Sequence, residues 1–195
     1  NRLERLQGCL GVPLPASTQW EIARDVSEVI DPVYQEVIHQ AAQGKVLHND
    51  DTTMKILKLD RKESDRSGVF TSGIVSVLED GQRIALFFTG PKHAGENLID
   101  VLRQRNDLLG QPIQMCDALS RNMPKGLKTI MGNCLTHGRR RFVEVSNHFP
   151  QECLFVLEIL KEVYRYDDLT GGMTDMDRLA YHQENSGPKM KELYA

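Results

Sequence analysis

An α/β fold is what the sequence predicts, and three observations carry that expectation. Between Lys45 and Gly90 the chain breaks into short β-branched or aromatic runs separated by turn residues, the pattern of consecutive strands joined tightly. An amphipathic stretch, ENLIDVLRQRNDLL, follows with helical spacing. PIQMCDA is then a short apolar run ending in an acid, which suits a buried parallel strand.

Taken in order, residues 1–15 carry Gly8, Gly11, Pro13 and Pro15, a broken helix-and-turn region. Thr18 and Glu21 form a capping box. It opens a helix whose apolar positions are Trp20, Ala23, Val26 and Ile30. Asp31-Pro32 is expected to restart a second helix, with Val33, Val37, Ile38 and Ala41 on its apolar side, until Gly44. VLHNDDTTMKILKL, GVFTSGIVSVL and RIALFFTG read as three strands of an antiparallel meander, the second turn being Glu79-Asp80-Gly81. After the PIQMCDA strand come a helix over roughly 119–131, a small strand around Cys134, and further helices. Strand-strand-strand-helix-strand-helix-strand-helix is the order of a ribonuclease H-like core. The expected architecture is a three-strand antiparallel meander extended by parallel strands and flanked by helices. Its domain division is a helical lead-in over 1–44 and the α/β domain over 45–195.

Composition narrows the class. The 195 residues suffice for one sizeable domain, and 40% hydrophobic with 26% charged residues is ordinary for a water-soluble protein. No apolar stretch reaches the ~18 residues of a membrane helix. The four cysteines are spread too widely to form a disulfide framework, so a reducing, cytoplasmic setting is expected. Cys134 and His137 make a lone C-x-x-H; two ligands do not make a structural zinc site. The chain starts on Asn1 within an apolar-patterned segment, which reads as a piece of a longer protein. A net charge of −3 argues weakly against nucleic acid, but charge is unevenly distributed. Residues 118–143 contain no acid and hold Arg121, Lys125, Lys128, His137, Arg139, Arg140 and Arg141. Such a segment, directly after an acid that ends a strand, lets phosphates approach a carboxylate.

Metal-assisted phosphodiester chemistry needs hard oxygen ligands around a metal pair. Asp50 lies inside a strand and Asp117 ends another; each is a candidate ligand, or else caps a turn. On the helix of ECLFVLEILKEVYRYDDL, with Leu157 set at 0°, the apolar positions fall at about 240° to 340° and Asp167 at about 280°. An acid on that side calls for a cation or a metal, unless it lies just past a fraying helix end and is solvated. Glu144 is the alternative third acid, being close in sequence to the last strand.

VLHNDDTT, MCDALSRN, CLTHGRRRF and RLAYHQENSGPKMKEL together resemble the transposases of the insertion sequence 66 family, bacterial DDE transposases, over essentially the whole chain. C-x-x-H-x-R-R is the most specific of these matches. The resemblance implies a first catalytic Asp at Asp50, a second at Asp117 and a third acid at Asp167. Asp51 stands where Glu is commoner, Ala118-Leu119 where many members have Gly-Tyr, and Asp167 where the family has Glu. It further implies that 45–195 is a catalytic domain with a C-terminal helical insertion at about 143–160, and that two Mg²⁺ or Mn²⁺ ions are held by the three acids. One would activate water or a 3′-hydroxyl and the other would stabilise the leaving oxygen. DNA, as transposon ends and target, is the implied partner, bound by a homo-oligomer at the nucleoid. Arg139 and Arg140 would neutralise backbone phosphates, and His137 would orient a phosphate or an acid, unless it is a core histidine. Two other classes stay open: a nuclease of the same fold without strand transfer, and an inactive, repurposed DNA-binding remnant.

Overall fold

A computed structural model describes residues 2–12, 14–54 and 68–194. The chain forms two compact units, Asn1–Gly132 and Asn133–Ala195.

The first unit opens with α1 (Arg2–Cys9) and α2 (Ala16–Ala42). α2 is one 27-residue helix with Pro32 inside it, not the two helices that Asp31-Pro32 led us to expect. Proline removes one N–H and so deprives the Glu28 carbonyl of its partner. Glu28 and Pro32 are both exposed, so water can satisfy that carbonyl and the helix survives. It also starts two residues before the Thr18 box, with Pro15 at its cap. Only its last turns are buried, through Ile38, Ala41 and Ala42. Trp20, Val26, Ile30 and Val33 keep their helical spacing but lie exposed.

β1 (Val46–Thr53), β2 (Phe70–Val77) and β3 (Arg83–Gly90) form the expected antiparallel meander. The MKILKL portion of the expected first strand runs beyond Met54 and lies mostly outside the described residues. α3 (Ala94–Leu102) leads to β4 (Ile113–Cys116) and β5 (Ile130–Asn133). The sheet order is β3-β2-β1-β4-β5, with β4 parallel to β1. The 119–131 helix does not form. Its place holds a single 3-10 turn, Ser120–Asn122, because Pro124 cannot donate to a helix and Gly126 sits at φ 84°.

Leu47, Ile74 and Leu86 meet Leu98, Val101 and Leu102 of α3 and the buried end of α2, so the core covers one face of the sheet. Arg105 closes that layer. Its guanidinium donates to the carbonyls of Ala42 and Gly44 at 2.8 Å each and to Gly110 at 2.9 Å. It thereby ties the end of α2 to the chain entering β4. This also ends α3 earlier than the amphipathic pattern implied, since residues 103–109 turn.

The second unit is helical: α4 (Leu135–Val145), α5 (Pro150–Leu169), α6 (Asp175–Glu184) and α7 (Ser186–Glu192). α5 packs against α4 and α7, burying Cys153, Ile159, Leu160 and Val163. Thr174 caps α6, its hydroxyl accepting from the Asp177 N–H. Among the described residues no helix is long and apolar enough to cross a membrane.

Arg105→Met should lower unfolding free energy by about 2–3 kcal/mol, because hydrogen bonds to a charged group are lost and part-buried carbonyls are stranded. Urea denaturation checks this; an unchanged midpoint would show that water replaces the guanidinium without cost.

Candidate active site at the ends of two parallel strands

Side chains alternate across a strand, and β1 shows what that does to three consecutive polar residues. Leu47, Asn49 and Asp51 turn towards α3, whereas His48 and Asp50 are exposed on the other face. Asp50 Oδ1 accepts the Asp51 N–H at 2.8 Å. The buried acid of this strand is therefore Asp51, whose side chain is 2% exposed. It accepts from Ser72 Oγ at 2.8 Å and pairs with His93 Nδ1 at 2.8 Å.

The ladder between β1 and β4 matches Val46 with Ile113, Leu47 with Gln114 and His48 with Met115. Two further steps in the same register bring Asp50 level with Asp117 on neighbouring strands, which lie about 4.8 Å apart. Asp117 Oδ1 accepts from the Leu119 N–H at 3.1 Å and from Asn122 Nδ2 at 2.8 Å. The turn needed for this puts Ala118 at φ 64°, a left-handed conformation that costs an L-residue about 1 kcal/mol.

A buried amide cluster fixes the two strand ends to each other. Gln114 Nε2 donates to Asn49 Oδ1 and to the Asn122 carbonyl, both at 2.8 Å, and Asn49 Nδ2 donates to that same carbonyl at 2.8 Å. Gln114 and Asn122 are fully buried and Asn49 is 3% exposed. Asn122 Oδ1 is buried without a hydrogen-bond partner among the described residues. Two carboxylates and a buried carbonyl oxygen beside one of them are hard donors, a set that fits Mg²⁺ or Mn²⁺. Among the described residues, no three His, Cys, Asp or Glu converge into a metal cluster.

In the second unit Asp167 sits within α5, its side chain half exposed. Arg178 donates to Asp167 Oδ1, and His182 Nε2 lies 3.3 Å away. Its helical angle predicted a core-facing acid; the carboxylate is instead half exposed and paired with a cation from α6. The Arg178 guanidinium holds the Asp167 carboxyl below its ordinary range. The rival, Glu144, lies exposed on α4 and pairs with Arg141 at 3.0 Å. His137, Arg139 and Arg140 all lie on α4; both arginines are exposed and form no ion pair among the described residues.

Reading the sequence missed Asp51–His93 and Asn49–Gln114–Asn122. One signal was there to find them: Asn49 and Asp51 share the parity of Leu47, so a buried Leu47 buries them too.

These features define a class, an α/β domain with one carboxylate within β1 and another directly after the parallel strand β4. The model of the family described as transposase IS66 matches residues 1–195, and the chain belongs to that family. No match was found among curated proteins.

Because the folded-state carboxyl of Asp167 is depressed, its contribution to stability is complete above the ordinary aspartate range. It is lost as pH falls through the lowered value. Thermal unfolding of wild type should therefore lose stability more steeply than Asp167→Asn over about pH 5 to pH 2. The difference should be small, since the pair is half exposed. Superimposable pH profiles would mean that the ion pair is absent in solution.

Proposed function

We propose that this chain is the catalytic domain of a DNA transposase of the acidic-triad type, cleaving strands at insertion-sequence ends and joining them to target DNA. The observation that carries the reading is the parallel pairing of β1, which contains Asp50, with β4, which Asp117 follows directly, in a chain of a transposase family. The sheet order β3-β2-β1-β4-β5 supports a ribonuclease H-like core. Ligands in open α/β sheets gather at the carboxyl ends of parallel strands.

Asp50 and Asp117 would hold the divalent ions, with Asp167 as the third acid. When bound, two such ions activate an attacking water or 3′-hydroxyl and stabilise the leaving oxygen. The rest falls to side chains of this chain. Asn122 and the Leu119 N–H hold one oxygen of Asp117 in place. Arg139 and Arg140, which form no ion pair among the described residues, would neutralise backbone phosphates and set the register of DNA. DNA ends and target are the substrates of this reading, with a homo-oligomer as the working form. Asp167 can serve only by exchanging Arg178 for an ion. That pairing also favours a second reading, an inactive DNA-binding remnant in which Arg178 permanently neutralises the third acid.

Cleavage assays in the full-length protein separate the two. Asp50→Asn and Asp117→Asn should abolish Mg²⁺-dependent cleavage while leaving DNA binding intact. Asp167→Asn should do the same, Glu144→Gln should keep most activity, and Asp167→Glu should preserve or raise it. Arg139→Ala and Arg140→Ala should each flatten the salt dependence of binding by about one unit in log–log slope. Normal cleavage by Asp167→Asn with a dead Glu144→Gln would overturn the third assignment. Wild type that binds DNA and never cuts it would establish the remnant.

A further inference from the structure

The Asp51–His93 pair has no part in the acidic triad, yet it is expensive. A carboxylate buried to 2% exposure costs several kcal/mol unless it is paired and hydrogen-bonded. Here every partner is supplied. Ser72, itself fully buried, donates to Asp51 Oδ1 and accepts from Asn97 Nδ2 at 2.9 Å. His93 Nδ1 takes Asp51 Oδ2, and the His93 backbone N–H donates to Glu96 Oε2 at 2.9 Å. The imidazole rests against Phe70, with ring centroids 4.1 Å apart. Such a carboxylate–histidine contact fixes the ring's tilt and leaves Nε2 as the atom for a ligand.

The residue so held lines a cavity of about 410 Å³. Ile99 and Met123 give it apolar wall, and Glu96, Arg121 and Lys125 its charge. Glu96 already accepts from the His93 backbone. Arg121 and Lys125 are exposed and form no ion pair among the described residues. The lining itself carries two cations against one carboxylate, with the Asp51 carboxylate behind His93. The walls are held close, since a Cβ at Gly95 would meet the Met123 carbonyl oxygen at 2.6 Å and that of Arg121 at 2.7 Å. Only glycine lets α3 approach the 120–123 turn so nearly.

Position decides what the cavity is for. Asp51 follows Asp50 directly, and Asn122, next to Arg121, donates to Asp117 Oδ1. The cavity thus shares its supporting residues with both strand-end acids while lying on the α3 side of the sheet. We propose that His93, Arg121 and Lys125 form a binding site for a non-reacting backbone phosphate of the bound DNA strand. His93, its ring fixed by Asp51 at Nδ1, turns Nε2 to a phosphate oxygen. Arg121 and Lys125 supply the countercharge. The site rests on the DNA reading above. It adds a phosphate contact on the first unit, distinct from the arginines of α4.

The test is the salt dependence of binding, followed by fluorescence anisotropy of a labelled duplex with the full-length protein. Arg121→Ala/Lys125→Ala should weaken binding and reduce the log–log salt slope by about one to two units. His93→Gln should weaken binding with the fold intact by circular dichroism, and Asp51→Asn should reproduce its effect, because it frees the ring. Inorganic phosphate, titrated calorimetrically into wild type and the double variant, distinguishes the ligand's source. A wild type that binds DNA with a slope unchanged in the double variant overturns the phosphate site and leaves the transposase reading standing. Loss of inorganic-phosphate binding alone, with the DNA slope unchanged, makes it a site for the free anion and overturns the proposal equally. A wild type that does not bind DNA overturns the transposase reading itself.

Discussion

Three amide side chains hold the site together. Gln114 and Asn49 both donate to the Asn122 carbonyl, and Gln114 also donates to Asn49, so β1, β4 and the turn after β4 are joined at one buried point. An amide left unpaired in such a place costs about 1–3 kcal/mol, which selects the one register in which all the donors are met. In that register Asp50 stands level with Asp117. The same Asn122 then reaches Asp117 through its own amide. The strain accepted at Ala118 is small beside what the cluster secures, since the left-handed turn is what returns Asn122 to the sheet. Glycine at that point would make the turn without strain.

Much of the sheet was legible in the sequence, because β-branched runs punctuated by turn residues leave few other foldings. The meander and the parallel β4 follow from period and punctuation alone. What failed to show were places where local signals compete. Pro32 reads as a helix break, yet α2 continues because its surroundings are wet. Residues 119–131 have helical composition, but Pro124 and Gly126 outweigh it, and the turn is held by contacts from Asn49 and Gln114 that lie far away in sequence. Of the site, Asp50 and Asp117 stood out by type and place as candidates, but the acid that β1 buries is Asp51. Its parity with Leu47 marks it as inward-facing; what the sequence does not show is that Ser72 and His93 arrive from other elements to pair with it.

The third acid shows a different limit. Helical angle and family resemblance both indicated Asp167, and the structure gives it Arg178 and His182. A carboxylate already neutralised is poorly disposed to bind metal until its cation is displaced, and a DNA phosphate is a natural competitor for an arginine. On the proposed function, this ion pair keeps the acid paired until DNA is bound.

The central claim is that Asp50 and Asp117 share a divalent cation. A crystal structure of the protein soaked in Mn²⁺, with anomalous scattering collected above the manganese edge, tests it most directly. The account predicts a peak coordinated by both carboxylates, at distances of roughly 2.0–2.4 Å. A peak bound elsewhere, or the two carboxylates turned apart with no metal between them at saturating Mn²⁺, would contradict it.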